Sequence, residues 1–113
     1  MSKRRAELRL AEAALLFAAL GDRTRLALLR QLSEAGPASI SALADNFRVS
    51  RQAVTKHLQL LAAAGIIYGK RAGREHVWTL NPVRLTEARR CLKVIGRGWD
   101  DALGRLKAHL EDA

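Results

Sequence analysis

Apolar residues recur at helical spacing along most of this chain, and the period breaks in one stretch only. From Glu7 to Leu20, ELRLAEAALLFAAL is rich in Ala and Leu and predicts a first helix. Leu26, Leu29 and Leu32 then recur every three residues and predict the apolar face of a second helix, with Arg23, Arg25 and Arg30 elsewhere around it. Asp22 is placed to cap its start, and Gly36-Pro37 to end it. A short helix, SALADNF, follows with Ser39 or Ser41 as its cap. Two residues, Arg48-Val49, separate it from RQAVTKHLQLLAAA, which Ser50 caps and Gly65 stops. In that helix Val54, Leu58 and Leu61 form an inward stripe. The period then changes: Ile66-Ile67-Tyr68 reads as a strand, GKRAGRE as a polar turn, and HVWTL as a second strand. Asn81-Pro82 ends the hairpin, and a long C-terminal helix follows.

That last helix carries Leu85, Leu92, Trp99 and Leu106 at intervals of seven, with Ala88, Ile95 and Ala102 between them. Leu103 and Leu110 widen the stripe. A seam of this kind fits a partner helix, with Leu8, Leu15 and Ala18 of the first helix beside it; packing on the chain's own core is the alternative. Gly96, Gly98 and Gly104 each weaken the helix by about 1 kcal/mol and leave its continuity open.

The expected fold is mainly α with a small β-hairpin: a winged helix-turn-helix of four helices, a hairpin wing and a long last helix. Residues 1–113 then form one DNA-binding domain, with the helix-turn-helix at 39–64, the wing at 66–80 and dimerisation helices at 1–20 and 83–113.

Composition narrows the partner. The chain of 113 residues holds 20 Lys and Arg against 11 Asp and Glu, a formal charge of +9, which suits a polyanion such as nucleic acid. A merely basic protein, or one touching anionic lipid, is the plainer alternative. Hydrophobic residues make up 49% and aromatics 4%, enough for a core built from helices. Cys91 is the lone cysteine, so no intramolecular disulfide can form, in keeping with a reducing compartment. No apolar run approaches a membrane span, and a cytoplasmic location is expected, without membrane contact. A Gly-rich phosphate loop, paired cysteines and a nucleophile motif are missing, so neither an enzyme nor a cofactor is expected.

Candidate binding residues cluster on the helix after Ser50. At about 100° per residue, Arg51, Gln52, Thr55, Lys56 and Gln59 fall outside the buried stripe. These side chains can reach base edges and phosphates in a major groove. Ser50 adds the helix N-terminus, a ready anion site. His57 reads as a phosphate or packing contact. Arg48 occupies a turn position that tends to need positive φ, at a cost of about 1 kcal/mol, and can lie near a phosphate. Lys70, Arg71 and Arg74 make a basic hairpin tip, with His76 just beyond, suited to an adjacent minor groove or the backbone.

Three segments, LFAALGDRTRLALLRQL, ISALADNFRVSRQAVTKHLQLLAAAGII and KRAGREHVWTL, together resemble the ArsR family of bacterial winged-helix repressors across about residues 14–80. GDRTRLALL, SRQAVTKHL and AAGII in combination carry the resemblance. It implies a homodimer paired through its first and last helices, where the seam read from the spacing puts Leu8, Leu15, Leu85, Leu92, Ile95, Trp99, Leu103 and Leu106 at the contact. It also implies binding to double-stranded DNA at an inverted-repeat operator, and repression, including of the chain's own operon. Many family members leave DNA when a metal or other signal binds. The family's Cys-x-Cys metal motif matches Ser39 and Ser41 here, and serine hydroxyls are poor ligands for soft metals. The C-terminal helical metal site needs Asp and His pairs, whereas this helix has Asp100, Asp101, His109, Glu111 and Asp112, with one His. No metal site is therefore expected. A metal- or thiol-responsive repressor acting through Cys91, and an RNA- or protein-binding winged helix, are the alternatives.

Overall fold

The computed structural model describes residues 2–112, with side chains from residue 9 onward. Along the chain run α1 (Ser2–Leu20), α2 (Arg23–Ala35), β1 (Ala38–Ser39), α3 (Ile40–Asp45), α4 (Arg51–Ala63), β2 (Ile67–Ala72), β3 (Glu75–Leu80) and α5 (Pro82–Asp112).

Three helices begin where a short polar side chain meets a backbone N–H that the helix itself leaves unbonded. Asp22 Oδ2 accepts from Arg25 N at 3.0 Å, Ser39 Oγ from Ala42 N at 3.2 Å, and Ser50 Oγ from Ala53 N at 3.1 Å. Ser39, not Ser41, is thus the cap of α3. α4 ends before Gly65, whose φ of +76° is a conformation that side chains with a Cβ rarely adopt.

The core lies between these helices and the sheet. Leu28, Leu43, Val54, Leu58, Leu61, Ile66 and Ile67 are fully buried, joined by Leu16 and Ala19 of α1, Trp78 of β3 and Ala88 of α5. Each large aliphatic removed from water here contributes roughly 1.5–3 kcal/mol. The stripe Val54, Leu58 and Leu61 faces inward as expected. The α2 stripe does so in part: Leu29 and Leu32 are buried as expected, Leu26 is 51% exposed, and Leu28 is buried in its place. A strict interval of three lags the 3.6-residue turn, so Leu26 rotates off the face that Leu29 and Leu32 share.

The connection between α3 and α4 is longer than two residues. α3 stops at Asp45, Asn46 Nδ2 bonds back to Ala42 O at 3.2 Å, and Phe47 packs against the core before Ser50 restarts the helix. Arg48 carries no strain: among the described residues only glycines have positive φ. The longer connection reverses the chain without a left-handed residue.

The sheet has the order β1-β3-β2, all antiparallel. β1, two residues pairing Ala38 with Trp78 and Ser39 with Val77, was not anticipated. The hairpin also runs further than expected. Pairing continues to Ala72–Glu75, so the turn is Gly73-Arg74 alone, with Gly73 at φ +66° followed by negative φ, the signs of a type II′ turn. Trp78 is buried, and His76 stacks on it with centroids 5.1 Å apart.

α5 is one continuous helix of 31 residues, about 46 Å long, through all three glycines. Leu85 departs from the expected seam, because it packs against the core from the first turns of α5. Beyond Ala88 the apolar stripe leaves the body.

Candidate nucleic-acid interface

α4 presents its polar side to solvent because the leucine stripe fixes the opposite side in the core. Gln52, Lys56 and Gln59 lie across the helix from that stripe and are exposed, as is Arg51 at the first position. Thr55 is half-buried, and its hydroxyl donates to Arg51 O at 2.9 Å. It therefore offers a lone pair and a methyl group rather than a free donor. Ser50 Oγ is engaged in capping, which leaves the first N–H groups of α4 as the anion-facing feature of this end.

The wing follows directly. Lys70, Arg71 and Arg74 are exposed, but register separates them: Arg71 pairs with His76 on the face that carries Trp78, and Lys70 pairs with Val77 on the other. The cations thus project from both faces of the ribbon, with Arg74 in the turn. Gly69 sits opposite Trp78, where a Cβ would run into the His76 ring, so the stack needs glycine. Among the described residues, Arg48, Arg51, Lys56, Lys70, Arg71 and Arg74 take part in no ion pair. These six cations lie on α4, the turn before it and the wing, with no carboxylate partner among the described residues.

His57 is placed differently. It is half-buried on the flank of α4, with Nδ1 3.3 Å from Arg25 Nη1 and 3.7 Å from Asp22 Oδ2. One nitrogen cannot serve both; a guanidinium has donors only, so the shorter contact takes Nδ1 as its acceptor. The same guanidinium donates through Nε to Ala19 O at 2.5 Å and through Nη2 to Ala18 O at 3.4 Å, the end of α1. Asp22 is held below the usual carboxylate range, first by the Arg25 backbone N–H. Sequence reasoning noticed Asp22 as a cap and missed Arg25, because its partner lies 32 residues away.

The pairing candidates divide. Leu92, Ile95, Trp99, Leu103 and Leu106 form an exposed stripe on α5, continued by Leu110, and Leu15 is exposed on α1. Leu85 belongs to the core, and the Leu8 side chain lies outside the described residues. Cys91 is a half-buried free thiol. Among the described residues no helix is long and apolar enough to cross a membrane.

A helix-turn-helix domain family matches residues 20–67. The chain is 38% identical to the HTH-type transcriptional regulator Rv2034 of Mycobacterium tuberculosis, over 75% of this chain and 76% of that one. Among solved structures, an ArsR-like transcriptional regulator from Rhodococcus sp. RHA1 is 40% identical with a TM-score of 0.75, over 87% of this chain and 92% of the other. The homodimeric winged helix-turn-helix DNA-binding domain Mb0332 from Mycobacterium bovis, at 23% identity and a TM-score of 0.66 over 89% of both chains, shares the fold.

Proposed function

Since the chain belongs to the ArsR family of winged helix-turn-helix transcriptional regulators, we propose that it is a homodimeric repressor reading an inverted-repeat operator without a bound metal. The observation that carries this reading is the set of unpaired cations on α4 and the wing beside the exposed polar face of α4. Arg51, Gln52, Lys56 and Gln59 contact base edges, with Thr55 beside them. Ser50 and Arg48 meet phosphate at the start of α4, and Lys70, Arg71 and Arg74 hold the backbone or minor groove.

Two further observations support the finer points. Leucines and a tryptophan exposed along a helix that outruns its own body suit a second copy, and Mb0332 is described as homodimeric. Ser39, at the position of the family's metal-binding cysteine, uses its hydroxyl to cap α3, a task with no need of an ion. Autoregulation is part of the proposal.

Binding to genomic fragments, including the chain's own upstream region, tests it by anisotropy across a salt series. The expected result is preference for one fragment by at least about a thousandfold over random duplex, with affinity falling steeply with salt. Equal affinity for all duplexes overturns the reading.

A further inference from the structure

We infer that Arg25, acting through His57, is a positioning residue that sets the roll of the recognition helix against the end of α1. This inference rests on the proposal that α4 reads DNA. α4 buries Val54, Leu58 and Leu61 fully, with Ala62 packed beside them. His57 lies roughly 60° around the helix from the stripe, so a bond there resists rotation.

Arg25 suits that task by its chemistry. Its planar fork donates at once to His57 Nδ1 at 3.3 Å and to the α1 carbonyls of Ala19 and Ala18 at 2.5 and 3.4 Å. Those carbonyls belong to the last turn of α1, which carries partial negative charge, and Ala18 O also accepts from Gly21 N at 3.2 Å. The backbone of Arg25 is itself fixed, since its N–H is the one that Asp22 caps at 3.0 Å. Three helices therefore meet at one side chain. The reading residues Gln52, Lys56 and Gln59 lie on the far side of α4, where a roll of about 15° displaces side-chain tips by ~1.5 Å. A shift of that size breaks a bidentate base contact, worth about five- to 150-fold in discrimination. Because α1 is also a proposed pairing helix, the brace ties the reading face to the subunit contact.

The test compares wild type with Arg25→Lys, His57→Ala and the double variant. Each is measured for specific and non-specific affinity across salt, and for backbone hydrogen exchange in α4 without DNA. Arg25→Lys keeps the charge and loses the fork, and His57→Ala removes only a half-buried ring, so a folded protein is available in at least one variant. Positioning predicts a loss of about fivefold or more in the specific-to-random ratio for each single variant, an unchanged salt slope, and a double variant no worse than the worse single. It also predicts faster exchange in the first half of α4. A salt slope reduced by about one unit in His57→Ala would make His57 a phosphate contact and overturn the inference. Wild-type specificity in both single variants, or unchanged exchange, would overturn it as well. If wild type itself prefers no duplex, the DNA reading fails, and the exchange result still decides whether the brace holds α4.

Discussion

Asp22 caps α2 with a carboxylate, and the same residue lies beside the ring of His57. Its carboxyl titrates below the ordinary range, chiefly because the charged form accepts the Arg25 N–H. A lowered folded value means that its contribution to stability is complete above the ordinary carboxylate pKa, near 4, and fades as the pH falls through the lowered one. Melting temperatures of wild type and Asp22→Asn should therefore differ at pH 6 and draw together as the pH falls below the ordinary carboxylate range, a comparison for circular dichroism. A constant difference across that range would show that the charge does not matter. The cap was legible in the sequence, since a polar residue before an apolar period is a local signal. The fork of Arg25 was not: hydrogen bonds to residues 6 and 32 positions away depend on how helices pack, which one chain's periodicity does not encode. Thr55 was legible as a position on the outer side of α4 and misread in its chemistry, because its hydroxyl prefers the carbonyl one turn back.

Helices of this chain were easier to read than its strands, for a reason of scale. A helix repeats its pattern over many residues, whereas β1 is a two-residue pairing that exists only because β3 lies alongside. The wing's strands carry Lys and Arg where a turn was expected, since both faces of a projecting ribbon meet solvent and alternation disappears. On α5 the three glycines obscured a helix that is in fact unbroken. A Cβ added at Gly104 meets nothing within 4 Å, and about 100° per residue puts this position off the apolar stripe. Gly104→Ala should raise the stability of α5 by up to about 1 kcal/mol, read as a higher melting temperature or greater helical signal in circular dichroism. No change, or a loss, would mean that this face of α5 is in contact with something. Leu85 illustrates the limit of heptad reading, because the interval of seven continues smoothly from a residue that serves the core to residues that serve the surface.

At the scale of the molecule, the chain is 67 Å in its longest dimension, and α5 carries an exposed apolar stripe. Trp99, 62% exposed, is the largest side chain in it. Trp99→Asp should leave the monomer folded and shift sedimentation from dimer to monomer, with operator affinity falling at least tenfold as two half-sites cease to be bound together. A variant still dimeric at micromolar concentration would place the subunit contact elsewhere. The chain's two tryptophans occupy opposite settings, one buried beneath the His76 ring and one in water on α5. That contrast equips the protein with two internal lamps of different colour. The buried indole of the wing emits at shorter wavelength for as long as the body is folded. The exposed indole of α5 emits at longer wavelength, and on the proposed pairing a second chain would shift it, so diluting a sample while watching its emission separates parting from unfolding with no label attached.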